Sequence, residues 1–411
     1  MKGESTLIGN NAATVVPVKV CMHVLGAAHD DVRAKRAAKT LVNAGYEVSI
    51  IDIESGSTSS FGDDMHGVSL RHLKVSNSFV TTRFRRWAFF KAAWIFIRGV
   101  LWLMQTPADI YHALDLPALP ACYIASRLRR KPLIFESYEL PFSTLALADM
   151  TTGRYLLQKF SIPFINHIVP RCASVIAVSA PIVQEMQSRY HLPKVSLVRN
   201  ILPYQAVVKS DRLRRLLGLD PSKRIALYQG YLQPDRGLDR LIRAAAFLEK
   251  DIVIVMMGKN KLETQARLEA LIADEGVADQ VKIIPSAPYG DLLDWTASAD
   301  LGLIVYVPDY SPNVRMMLPN KLFEFLLAGV PVLATQLDAV EEIIKTYDVG
   351  QIVTSVEPAA IGAAINRMLL DAAALHRMSQ NALTAAKTDL NWEKESLQLS
   401  SLYEDIVREE G

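Results

Sequence analysis

Cysteine is scarce in this 411-residue chain: Cys21, Cys122 and Cys172 stand far apart, without metal-ligand spacing or an even disulfide count. They read as core thiols of a reducing compartment. No basic, apolar and small-residue succession opens the chain, so no secretory signal peptide is expected. The Gly-x-Gly-x-x-Gly fingerprint of dinucleotide-binding units is missing. No carboxylate pair has the spacing of a metal centre, since Asp30-Asp31 and Asp63-Asp64 read as loop residues, and no metal is expected. Repeats and low-complexity tracts are absent. So is any aromatic-basic recognition motif, which argues against a nucleic-acid partner.

What is present is a globular composition. Half the residues are hydrophobic and both charge signs are common, which gives ample core for two domains of ordinary size. The net charge of +2 conceals an asymmetry. Up to Tyr204 there are 23 Lys/Arg against 14 Asp/Glu, and beyond it 22 against 29. Between Met65 and Ala108 stand seven cations and no acid, a face suited to an anionic membrane surface or a phosphate-bearing substrate. Residues 83–104 hold three tryptophans and five cations, Arg83, Arg85, Arg86, Lys91 and Arg98. A spanning helix needs about 20 mostly apolar residues, and two central charges count against one. An interfacial helix on anionic lipid fits the pattern better. The competing reading is a helix packed on a sheet, with its long cations reaching past it to water.

Along the chain the pattern is α/β. After an irregular leader, residues 1–16, Val18 to Val24 reads as a buried strand. Asp31 to Asn43 reads as a helix, and Glu47 to Ile53 as a second strand, together a parallel βαβ unit. Ala108 to Asp115 is a strand, Leu119 to Arg129 a helix, and Pro132 to Glu136 a strand. Glu136 to Leu140 then lies beyond a carboxyl strand end, where ligand crevices form. Ala173 to Val178 and a helix from Ser179 to about Tyr190 follow. Val207 to Leu216 reads as a charged bridge. A second series begins at Arg224 to Tyr228, with a loop from Gly230 to Gly237, a helix to Leu248, and strands at Ile252–Met257, Val281–Ile284 and Leu301–Val305. An amphipathic helix from Asn391 to Val407 closes the chain.

The stretch from Arg315 to Ala334 carries the most chemistry. Pro319 is pre-set for the first turn of a helix and Gly329 is a left-handed stop. Leu322, Phe323, Leu326 and Leu327 supply apolar packing, while Asn320, Lys321 and Glu324 fall on the other side. A carboxylate could accept ribose hydroxyl protons and a lysine could meet phosphate beside a helix N-terminus. A solvated helix face is the plainer reading of the same residues. In the Gly230–Gly237 loop, two glycines let backbone approach an oxygen-rich group, and Arg236 adds a planar fork matched to phosphate.

Pro319-Asn-Lys-Leu-Phe-Glu324, followed by Ala328-Gly-Val-Pro-Val332, resembles the donor-site helix of glycosyltransferase family 4. That is a retaining family with the GT-B fold, two Rossmann-like parallel-sheet domains facing a central cleft. The resemblance implies an acceptor-binding domain over 17–205, a nucleotide-sugar domain over 206–390, and a terminal helix, 391–411, crossing back to the first domain. It assigns the donor to Gly230, Gly258, Arg236, Asn320, Lys321 and Glu324, with Arg236, Lys321 and Glu324 serving catalysis. It places His112, Asp115, Tyr138 and Glu139 on the acceptor side.

The chain departs from the family pattern in several places. The first of the two paired family acids is replaced by Met316, leaving Arg315 or Asn313 as candidates to touch the sugar. The usual active-site histidine is Tyr138 or absent, and a tyrosine is a poor base near neutral pH. Tyr231 stands where the family often has an arginine. His112 reads equally as a satisfied core histidine. The implied activity is metal-independent, retaining transfer from a nucleotide sugar to a glycan or lipid-linked acceptor in cell-surface polysaccharide synthesis. The implied place is the cytoplasmic face of the membrane. A catalytically silent subunit is the alternative that Met316 and Tyr138 favour. An epimerase or a phosphorylase is a further one, though no lysine stands in a pyridoxal-phosphate pattern.

Overall fold

The computed structural model describes residues 17–55, 65–75, 85–143, 152–233 and 236–410. The expected leader, Asp63-Asp64 and Arg83 lie outside the described residues, as do the side chains of Arg85 and Arg86. The chain divides into two compact units, residues 1–133 and 134–411.

In the first unit, β1 (Lys19–Val24) leads to α1 (Val32–Asn43), whose first turn is closed by Asp31 accepting from the Arg33 and Ala34 amides at 3.0 and 2.9 Å. Ala34, Ala37, Ala38 and Leu41 recur at helical spacing and are buried. β2 (Glu47–Ser55), β3 (Val68–Val75), α2 (Arg85–Gln105), β4 (Ile110–Leu114) and α3 (Leu119–Arg129) follow. The strands are parallel in the order β3-β2-β1-β4. β3 was not expected, because Val68–Val75 interleaves apolar residues with Arg71, His72 and Lys74 and shows no clean buried run.

The second unit opens with β5 (Leu133–Ser137), α4 (Thr152–Ile168), β6 (Ser174–Ala177), α5 (Ala180–Tyr190) and β7 (Ser196–Leu197), the three strands again parallel. Ser179 caps α5 through the Ile182 amide. The expected bridge contains a short helix, α6 (Arg212–Leu217). Next come β8 (Arg224–Gln229), α7 (Leu238–Ala244), β9 (Ile252–Met257), α8 (Leu262–Asp274), β10 (Val281–Ile284), α9 (Leu292–Thr296) and β11 (Leu301–Ile304). The unit ends with α10 (Pro312–Met316), α11 (Asn320–Leu327), β12 (Val332–Thr335), α12 (Asp338–Tyr347), β13 (Gly350–Val353), α13 (Pro358–Leu370), α14 (Ala372–Thr388) and α15 (Trp392–Glu410).

The six later strands form one parallel sheet in the order β10-β9-β8-β11-β12-β13. Numbered within the sheet this is 3-2-1-4-5-6, the doubly wound order, and it reverses between β8 and β11. Its strands are apolar on both faces because helices cover both. Val253, Val255 and Met257 join one core with Phe323 and Leu326, whereas Ile252, Ile254 and Met256 join the other with Leu241 and Ile365. The expected boundary near residue 205 falls inside this second unit. There α15 is bound back to the β7 region: Glu395 accepts from the Arg199 amide at 2.7 Å and its guanidinium at 2.8 Å, and the Trp392 amide donates to Leu202 O at 3.0 Å.

Candidate active site

Ligands of doubly wound sheets bind outside the carboxyl ends of the strands where the order reverses. Here that point is the end of β8, at Gln229-Gly230, beside the end of β11, at Val305-Tyr306. α11 supplies the side chains. Its apolar face, Leu322, Phe323, Leu326 and Leu327, is fully buried, as its sequence requires. The other side is not a solvated face. Lys321 is only 7% exposed, with its ammonium 3.7 Å from the Tyr228 ring centre and 5.1 Å from that of Tyr306. The electron-rich ring faces offset part of the cost of taking the charge out of water. Arg236 lies over the same Tyr306 ring, its guanidinium carbon 4.9 Å from the centre. Two cations thus converge on one aromatic.

The backbone fits around them. Gly230 has φ +123°, a conformation side chains rarely adopt, and a Cβ there would sit 3.5 Å from Lys321 Nζ. Gly258, at the end of β9, lies so close to Gly230 that a Cβ would fall 1.7 Å from the Gly230 carbonyl oxygen. The two loops are therefore packed backbone to backbone. Beside them opens a cavity of about 250 Å³ lined by Gln229, Gly230, Tyr231, Gly258, Tyr289 and Glu324, among others. Glu324 is half-buried, and its Oε2 accepts from Gln229 Nε2 at 2.5 Å. Asn320 is exposed at the start of α11. The cavity lining itself holds Lys259 and Glu324, and Lys321 adjoins it at Gly230, a set that suits a ligand carrying both phosphate and hydroxyl groups.

None of the remaining expected residues lines this cavity. Arg315 is paired with Asp338 at 3.0 Å, and Asn313 is buried with its Oδ1 accepting from the Leu140 amide at 2.9 Å. The Met316 carbonyl accepts from Ser179 Oγ at 2.6 Å. Tyr138 and Glu139 follow the carboxyl end of β5 in the second unit, half-buried and exposed respectively. In the first unit, His112 is fully buried within β4, and Asp115 follows that strand with φ +67°. Among the described residues, no group of three or more His, Cys, Asp or Glu gathers as a metal-binding cluster. A second cavity of about 690 Å³, beside β7 and α15, contains the Arg199–Glu395 pair and mixed charges.

Sequence reasoning missed Tyr228, Tyr306, Gln229 and Thr296. A trace of them is visible: Tyr228 and Gln229 end the apolar run Ile225-Ala-Leu, and a polar residue at a buried carboxyl strand end is a site signal.

The architecture is the GT-B fold of glycosyltransferases, two Rossmann-like parallel-sheet domains. It is shared with sucrose-phosphate synthase from Thermosynechococcus elongatus at a TM-score of 0.74 and 15% identity, over 95% of this chain and 100% of that one. Anabaena HepE, in a complex with UDP and glucose, aligns at 0.69 and 16% identity over 94% of this chain and 100% of that one. The family model described as Glycosyl transferases group 1 matches residues 209–384, and that described as Glycosyltransferase Family 4 matches residues 31–203. The chain belongs to this family. The D-inositol 3-phosphate glycosyltransferase of Thermobispora bispora is 26% identical over 257 residues, 59% of this chain and 58% of that protein. In other curated relatives of the same description the match spans about half of the relative, 46% and 48% in two of them.

Proposed function

We propose that this protein moves a sugar from a nucleotide-sugar donor to a glycan or lipid-linked acceptor in cell-surface polysaccharide synthesis. The observation that carries the reading is the convergence of Lys321 and Arg236 on Tyr306 at the switch point of the second sheet, with Lys321 against Gly230 of the cavity that Glu324 lines. HepE, of the same fold, holds UDP and glucose, which makes a uridine diphosphate donor the first to test. Glu324 accepts from the ribose hydroxyls. Gly230, Gly258 and Asn320 bring backbone and the start of α11 near the diphosphate. Lys321 and Arg236 stabilise the charge that develops on it as it leaves. Because these two cations supply that charge, transfer needs no metal ion. The bond from the anomeric carbon to the phosphate oxygen breaks while the bond to the acceptor oxygen forms on the same face. The acceptor's proton passes to the departing phosphate, so configuration is retained. Tyr138 and Glu139 are the acceptor contacts of this scheme, and Asp115 and the fully buried His112 belong to the first unit.

An anionic membrane surface, at its cytoplasmic face, is the proposed location. On α2, Phe90, Trp94, Ile97 and Leu101 recur along one face and are exposed, Phe90 by 65%. Arg98 is stacked 5.4 Å from Trp94 and 5.8 Å from Trp102. Among the described residues, no helix is long and apolar enough to cross a membrane. An aromatic face carrying stacked cations suits the lipid headgroup region.

A catalytically silent subunit that binds nucleotide sugar is the second reading, favoured by Met316 in place of an acid and Tyr138 in place of a histidine. A panel of nucleotide sugars, assayed for transfer and for slow hydrolysis, separates the two. Turnover with any donor supports the enzyme, and tight binding without turnover supports the silent subunit.

A further inference from the structure

Behind the proposed ribose contact lies a buried chain of three side chains from three different elements. Thr296, at the end of α9, donates its hydroxyl to Gln229 Oε1 at 2.8 Å. Gln229, the last residue of β8, donates from Nε2 to Glu324 Oε2 on α11. Thr296 is fully buried and Gln229 is 2% exposed, so water does not compete for the bond between them, while the Gln229–Glu324 bond borders the cavity. Their direction is set by chemistry. A carboxylate only accepts, so the amide must turn its NH₂ toward Glu324 and its carbonyl toward Thr296. The hydroxyl must then donate. The single hydroxyl proton is shared with Leu292 O, which also lies 2.8 Å away.

We infer that Gln229 is a positioning residue for donor recognition, and that with Thr296 it sets the ability to tell a ribonucleoside diphosphate from its 2′-deoxy counterpart. The terminal torsion of glutamate is broad and has no strong preference of its own. A carboxylate that is to meet a ribose diol squarely needs a partner to fix its plane. Gln229 fixes it by holding Oε2, and Thr296 fixes Gln229. Specificity built on hydrogen bonds to hydroxyls depends on such preorganisation, since a misdirected acceptor leaves a buried polar group unmatched. This inference rests on the reading of Glu324 as the ribose contact.

The test is calorimetry of UDP and 2′-deoxy-UDP with the full chain and its Gln229→Met, Thr296→Val and Glu324→Gln variants. Gln229→Met nearly keeps the volume, and Thr296 keeps a partner because its hydroxyl also reaches Leu292 O at 2.8 Å. Loss of one charge-assisted bond should weaken UDP about tenfold in Gln229→Met. The 2′-deoxy compound should weaken less, so the preference narrows, and the Gln229→Met, Glu324→Gln double variant should be no worse than Glu324→Gln alone. A merely structural role would lower both affinities together. Thr296→Val should narrow the preference in the same direction, and it carries the test if Gln229→Met does not fold. If Glu324→Gln loses the preference while Gln229→Met and Thr296→Val keep it, the inference is overturned and the ribose reading stands. If Glu324→Gln keeps it, the ribose reading fails and takes the inference with it.

Discussion

Lys321 holds its ammonium 3.7 Å from the centre of the Tyr228 ring, a buried charge set against an aromatic face. Such a placement costs solvation, and ring quadrupoles recover only part of it. A charge kept there at a cost to stability points to a use in binding or catalysis.

Replacing Lys321 by Met should therefore separate function from folding. We expect the melting temperature of Lys321→Met to hold or rise, since an apolar chain of similar length fills the site. Transfer from the best donor should fall by about 10²–10³, the usual cost of losing a group that stabilises transition-state charge. A melting temperature several degrees lower, with turnover intact, would make Lys321 a structural residue.

Gly258→Ala tests the backbone packing at the cavity. Its methyl would sit 1.7 Å from the Gly230 carbonyl oxygen, so one loop must move. Overpacking of this kind costs about 1–3 kcal/mol and sometimes more. Urea denaturation should show that loss, and calorimetry should show weakened UDP binding. A variant with unchanged midpoint and unchanged affinity would contradict the close approach.

Burial pushes the Cys21 and Cys172 thiols from an ordinary value of 9.0 up to about 12. The folded state prefers the neutral thiol, so this contribution is fully present below about pH 9 and is lost as the pH climbs toward 12. At pH 8 the fully buried Cys21 should not react quickly with a disulfide reagent until guanidinium is added, whereas the half-buried Cys172 should react the sooner of the two. Fast native labelling of Cys21, located by peptide mass, would show that this thiol is accessible.

Turnover should survive excess EDTA, and the product should keep the donor's anomeric configuration. Lys321 and Arg236 provide positive charge where a leaving diphosphate needs it, which motivates the first expectation. Activity abolished by chelator and restored by Mg²⁺ or Mn²⁺ would reverse it. Proton NMR of the product decides the second.

Membrane docking by α2 is tested with anionic and neutral vesicles at two salt concentrations. Lys91→Glu with Arg98→Glu should release the protein from anionic vesicles, since each cation near such a surface contributes about 1 kcal/mol. The melting temperature should barely change, because Arg98 is exposed and Lys91 only half-buried. Binding that ignores both lipid charge and salt would refute electrostatic docking.

Local pattern was enough for much of this protein. Asp31 and Ser179 as caps, the apolar runs of β8 and β9, and the buried stripe of α11 are all set by residues a few positions apart, where periodicity and capping act directly. The family was legible in the run Pro319 to Glu324 for the same reason. Strands such as β3 and β13 were not, because one mixes cations into its run and the other, Gly350–Val353, has only four residues. The tertiary structure alone decided what surrounds the charges of α11. Lys321 looked as though it faced solvent until β8 and β11 brought Tyr228 and Tyr306 against it. Gln229 and Glu324 stand 95 residues apart, and Thr296 is 67 from Gln229. No helical or strand period links such positions. They meet because parallel strands return their carboxyl ends to one edge of the sheet, and that return depends on the packing of both helical layers.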